Sequence, residues 1–176
     1  MTSQNAVLKL NEDGEKSIPA PVGEGSKAIV DTRFGPLEFG QENAIFMPRG
    51  LLGFTDFHDY GLTGLQNPGL EQFMLLQCLE EEELSFVVIP LNRDGESIDE
   101  QDILDACAAL SLNPPDTAVL LVVSTHSMGK VTQISVNLRA PVIVDTKAHK
   151  GWQQVLPNSR YPVRHVISEV AQSDQG

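Results

Sequence analysis

A mainly β domain, built as an antiparallel barrel-like or strongly bent sheet with one covering helix, is what this sequence predicts. Three observations carry that expectation. From Ile29 onward, short apolar runs bounded by Gly, Pro, Asn and Asp recur at strand-like spacing. Only one segment combines a helical apolar period with a start signal. The resulting count of about nine short strands leaves many edges, which closure or strong bending is the economical way to remove. At 176 residues with 41% hydrophobic content, the chain is sized for one core.

Residues 1–28 hold Gly14, Pro19, Pro21, Gly23 and Gly25 among scattered charges and have no apolar period, so they read as a disordered arm. The domain is expected over 29–170, with a frayed polar tail at 171–176. Strands are expected at 28–34 and 37–39 around the turn Phe34-Gly35-Pro36, and at 44–47, where Pro48 ends the run. The segment from Pro48 to Leu62 reads as a loop with three glycines, Gly50, Gly53 and Gly61, and more apolar surface than a loop needs. Two runs, 73–79 and 84–91, flank Glu80-Glu81-Glu82-Glu83 and predict a hairpin with an acidic tip.

The helix follows. Ser97 and Glu100 have capping-box spacing, Asp99 and Asp102 suit the positive end of the dipole, and Ile103, Leu104, Cys107 and Leu110 share one face. Asn113-Pro114-Pro115 stops it. Strands at 118–125 and 131–138 are joined by His126 to Lys130; in the second, Ile134, Val136 and Leu138 point inward, and Gln133, Ser135 and Asn137 face water. Runs at 142–145 and 152–156 complete the set.

Composition narrows the function. Twelve basic against twenty-four acidic residues give a net charge of −12, which opposes a broad phosphate-binding surface and hence direct nucleic-acid binding. No apolar stretch is long enough for a bilayer, and no signal peptide opens the chain, so a cytoplasmic protein without membrane contact is expected. Cys78 and Cys107 lack metal or disulfide spacing, and Cys107 on the apolar helix face reads as a buried thiol. There is no GxSxG, HExxH, P-loop or GxGxxG after a strand, so no catalytic residue is assigned. His58, His126, His149 and His165 fall in four separate segments, which predicts no metal site; no cofactor is expected either.

Charge is unevenly spread. Residues 80–105 carry ten acids against Arg93, whereas 130–164 carries six bases against Asp145. Two solvated faces explain this, and so does a bipolar surface that steers a basic partner to one side. Glu80, Glu81, Glu82 and Glu83 are therefore candidate protein-binding residues, as are Arg160, Tyr161, Arg164 and His165 in the block Ser159 to His165. Tyr161-Pro162 can equally pin the chain end to the domain. Leu51 and Phe54, with Leu52, either plug the mouth of the barrel or form an apolar contact patch.

Five blocks, in order, resemble one family. They are Thr32-Arg33-Phe34-Gly35; Ile45 to Phe54 (IFMPRGLLGF); Leu84 to Pro90 (LSFVVIP); Asn137 to Val144 (NLRAPVIV); and Ser159 to His165 (SRYPVRH). Together they look like the flagellar assembly factor FliW, over about residues 29 to 167. The usual Phe-Pro of the second block is Met47-Pro48 here. The resemblance implies a non-enzymatic bacterial regulator with a β-barrel-like fold. Such a factor binds the translational regulator CsrA and relieves its repression of flagellin mRNA, and flagellin binds the factor and releases CsrA. Two rival readings remain: a small split-barrel flavin-binding protein or enzyme, and a chaperone that guards flagellin only.

Overall fold

The structure is a computed structural model that describes residues 5–7, 27–91 and 97–172. Among the described residues, twelve strands and one α-helix make the protein mainly β, as the apolar texture predicts. The chain divides into two compact units, Met1–Phe86 and Val87–Gly176.

In the first unit, β1 (Asn5–Val7) pairs in parallel with β2 (Lys27–Thr32), which pairs antiparallel with β3 (Gly35–Phe39). Part of the expected arm is thus strand, while its residues 1–4 and 8–26 lie outside the described residues. The β2–β3 turn comes two residues earlier than expected, between Thr32 and Gly35, because Thr32 closes it: its Oγ1 accepts from the Phe34 N–H at 3.1 Å and donates to the Gly35 carbonyl at 2.6 Å. A second antiparallel set is β4 (Ala44–Phe46), β5 (Asp59–Gly64) and β6 (Met74–Cys78). The expected loop from Pro48 to Leu62 therefore ends early, at His58, and its last four residues belong to β5. Gly61 misled the sequence reading: it sits within β5 where the backbone passes so close to the Phe39 ring that a Cβ would overlap it. Val30, Phe39 and Leu79 form a packed cluster here, and Tyr60, Leu75, Leu76 and Met47 are fully buried. Each such side chain contributes roughly 1.5–3 kcal/mol. Met47 at 0% exposure shows a methionine filling a core position in the second sequence block.

The second unit is organised by β8 (Thr117–Met128). It pairs antiparallel with β7 (Ser85–Pro90) through Leu120 to Val122, with β9 (Val131–Val136) through Val123 to Met128, and with β10 (Val142–Asp145) through Thr117 to Leu120. β10 also pairs with β11 (Lys150–Gln153). Between β9 and β10 the chain makes an excursion over 137–141, where Asn137 Oδ1 accepts from the N–H groups of Arg139 and Ala140, both at 3.0 Å. β12 (His165–Ala171), not anticipated from the sequence, pairs antiparallel with β9 and continues into the expected frayed tail as far as Ala171. Residues 173–176 lie outside the described residues.

The helix α1 (Glu100–Ala109) differs from expectation at both ends of the argument. Its N-cap is Asp99, so Ser97 and Glu100 form no capping box. The Asp99 N–H donates instead to the Tyr161 hydroxyl at 3.0 Å, and long-range contact replaces the local cap. Leu104 is exposed, whereas Ala106 and Cys107 are buried with Ile103 and Leu110 packed beside them against Val119, Leu121, Ile143 and Leu156. Ser135, expected to face water, is buried, and its Oγ is satisfied by that of Ser124, 3.0 Å away across the β8–β9 pair.

Candidate functional site

The first unit carries the acidic turn and the apolar loop. Gln77, fully buried, donates through Nε2 to the carbonyls of Cys78, Glu82 and Leu84 at 2.9, 2.9 and 3.2 Å, and Cys78 N–H donates to the Leu84 carbonyl at 2.9 Å. These bonds fix the backbone of the turn from within. Its four glutamates are not equivalent. Glu80 Oε2 accepts from the N–H groups of His58 and Asp59 at 2.5 and 3.0 Å, so Glu80 holds the start of β5. Glu81 is half-buried and its Oε1 accepts from the Glu83 N–H at 3.4 Å. Glu82 and Glu83 are exposed. Partial burial first, and the Glu80 charge second, raise the Asp59 carboxyl above its ordinary value.

The apolar loop is wound by backbone bonds from Gly50 to Met47, Phe54 to Leu51 and Phe57 to Phe54. Gly50 has φ +63°, and a Cβ there would lie 2.5 Å from the Phe54 carbonyl oxygen and 2.7 Å from Thr55 Cα, so only glycine fits. Leu51 is 2% exposed and anchors the loop; Leu52 and Phe54 are left on the outside at 53% and 37%. Leu51 is therefore turned into the fold, while Leu52 and Phe54 lie on the outside of the loop. Phe54 meets Phe86 edge to face with centroids 5.4 Å apart. Exposed Phe46, missed by the sequence reading, packs its ring 5.9 Å from that of His58.

The second unit holds the C-terminal block. Tyr161 is 3% exposed and belongs to the core. Its hydroxyl donates to Asp102 Oδ2 at 2.5 Å and accepts from the Asp99 N–H and from Arg160 Nη2 at 2.8 Å. Arg160 is ion-paired with Asp99 and lies 4.9 Å from the Tyr161 ring centroid. Arg139 donates to the carbonyls of Tyr161 and Ser159, both at 2.9 Å, and Leu138 N–H donates to the Pro162 carbonyl. This geometry favours the pin reading of Tyr161 over that of an exposed anchor. Arg164 and His165 are exposed. Two family-like blocks, 137–144 and 159–165, thus bond to each other, a link that no spacing in the sequence announces.

Among the described residues, no group of three or more His, Cys, Asp or Glu is placed to hold a metal ion, and Cys78 and Cys107 are buried and free. Burial pushes the Cys78 thiol up from its ordinary value. No described helix is long and apolar enough to cross a membrane.

Residues 28–167 match the FliW protein family. The flagellar assembly factor FliW of Ruminiclostridium cellulolyticum is 31% identical over 150 residues, 84% of this chain and 98% of the relative. That of Syntrophus aciditrophicus is 33% identical over 147 residues, 79% of this chain and 86% of the relative. In fold, the chain is similar to a crystal structure of the flagellar assembly factor FliW, with a TM-score of 0.60 at 21% identity over 78% of this chain and 95% of that one.

Proposed function

The chain belongs to the FliW family of flagellar assembly factors, and on that premise we propose a cytoplasmic regulator that works by binding alone. It takes CsrA out of repression of flagellin mRNA and is itself taken by flagellin, so that flagellin synthesis follows flagellin export. No covalent step and no cofactor enter this reading. The observation that carries the CsrA half is the turn at Glu80 to Glu83: its backbone is locked by Gln77, and it holds the carboxylates of Glu82 and Glu83 out to solvent. An RNA-binding protein is basic, and a fixed acidic projection accelerates encounter with it.

Replacing Glu82 and Glu83 by Lys tests this, because neither carries the hydrogen bonds that Glu80 gives to β5. Association with CsrA is expected to slow about tenfold or more at low salt and to lose its salt dependence, with dissociation little changed. The control is the same reversal at Glu12 and Asp13, which alters net charge equally. Equal association rates for the two double mutants would remove the acidic turn from the CsrA contact. Flagellin binding without any CsrA binding in the unaltered protein would replace the partner switch with a flagellin chaperone.

A further inference from the structure

Beyond this reading, we infer that the protein self-associates through β12, two copies pairing antiparallel edge to edge. All seven residues of β12 are exposed, with Val166 at 44%, Ile167 at 42% and Val170 at 50%, and Val163 just before it is 55% exposed. One edge of β12 is bonded to β9; among the described strands none pairs with the other. The far half of β8 beside β9 is also exposed from Ser124 to Met128, so β8, β9 and β12 form a three-stranded ribbon reaching beyond the packed core of their unit. A row of unpaired backbone N–H and C=O groups flanked by β-branched side chains is a template for another extended strand.

Charge selects the occupant. The N-terminal end of the strand carries Arg164 and His165, and Arg164 has no hydrogen-bond or ion-pair partner among the described residues. Toward the other end stands Glu169, one of whose carboxylate oxygens takes Gln133 Nε2 at 2.8 Å. Between them lie Val166, Ile167 and, past Glu169, Val170. A strand that is basic at one end, apolar in the middle and acidic toward the other is complementary to itself when reversed. Antiparallel pairing about a two-fold axis brings Arg164 of each copy toward Glu169 of its mate and stacks the apolar middles. Because the other edge of β12 is bonded to β9, a two-fold pair uses the one open edge of each copy and growth at this strand stops at two. A seven-residue edge offers less than the roughly 800 Å² per partner of a standard stable interface, so the dimer is reversible and concentration-dependent.

Sedimentation velocity of the full chain, raised from about 5 to about 500 μM, is expected to show mass climbing from monomer toward dimer. Arg164→Glu and Glu169→Arg each place like charges together twice and should move the midpoint up at least tenfold. Mixed in equal amounts, the two variants bring opposite charges together again at both contacts of the mixed dimer, and should associate as well as the unaltered chain. That rescue also shows both variants to be folded. A chain that stays monomeric throughout overturns the inference, whether the edge is then bare or reserved for another protein. So does a mixture that associates no better than either variant alone.

Discussion

Each unit buries one of the chain's two tyrosines, and each treats the hydroxyl differently. Tyr161 gives its proton to Asp102 and receives two donors, the Asp99 N–H and Arg160. Tyr60 is 0% exposed and its hydroxyl finds no partner among the described residues; burial, before the influence of Cys78 and Glu80, drives its pKa far above the ordinary phenol. The contrast extends to the surfaces around them. In the first unit the candidate loop is held by short-range backbone bonds and one glycine, and the turn mainly by the neighbouring Gln77 side chain, whereas the C-terminal block is held by side chains some sixty residues away in sequence. One surface is locally encoded, the other depends on the whole unit being folded.

The largest expected effect follows from breaking the non-local side. Tyr161→Ala should cost about 3–5 kcal/mol, from the cavity and the abandoned polar groups together. Tyr161→Phe keeps the ring and should still cost about 1–3 kcal/mol, because Asp102 loses its donor and Asp99 its acceptor. Urea denaturation followed by the fluorescence of Trp152, the single tryptophan and a residue of β11, reads this in the right unit. If both variants keep full stability but bind CsrA or flagellin poorly, Tyr161 is an interface anchor after all.

On the local side, Gly50→Ala sharpens the comparison. The new methyl group meets backbone atoms that cannot swing away, at a φ that L-residues avoid, so a loss of about 2 kcal/mol or more is expected in thermal or urea unfolding. A smaller effect of opposite sign is expected at Tyr60. Removing a buried hydroxyl that has no partner relieves a desolvation cost, so Tyr60→Phe should be neutral or stabilising by up to about 1 kcal/mol. A large loss at Tyr60 would reveal a hydrogen bond and dissolve the contrast between the tyrosines.

The same division explains what was legible in the sequence. Most strands, the helix's existence and the acidic turn were readable because alternation, Pro-Pro stops and a run of four glutamates are local signals. The capping box is absent because Asp99 caps the helix and answers to Tyr161, and most of β5 reads as loop in sequence because Gly61 serves the Phe39 ring rather than a turn. β12 did carry a signal, since HVISEVA is rich in β-branched residues, but the irregularity between Val166 and Ser168 breaks the alternation that marks a strand. Of the candidate residues, the sequence could not separate Glu80 and Tyr161, which hold structure, from Glu82, Glu83, Arg164 and His165, which remain outside, because partners for the first two come from distant strands and the helix.

The smallest effect concerns pH, where the units should again differ in sign. In the first, Asp59 is raised above its ordinary value by partial burial and by Glu80. The folded protein therefore holds a proton there at pH values where the unfolded chain has lost it. Its contribution is fully present below the unfolded value near 4 and falls as pH rises through the folded value. In the second, Asp116 is lowered by a hydrogen bond from Asn113 and by Lys147, whose ammonium lies 3.0 Å away. Its contribution is present above the unfolded value and is lost as pH falls through the folded one. Asp59→Asn should remove a slope in which stability declines from about pH 4 upward, and Asp116→Asn a slope in which stability declines from about pH 4 downward. Denaturation midpoints of both variants across pH 2 to 7 test the pair, each by its difference from the unaltered chain. If both differences slope the same way with pH, the two carboxylates share one environment and the assignment of Glu80 as the neighbour that destabilises charged Asp59 is wrong.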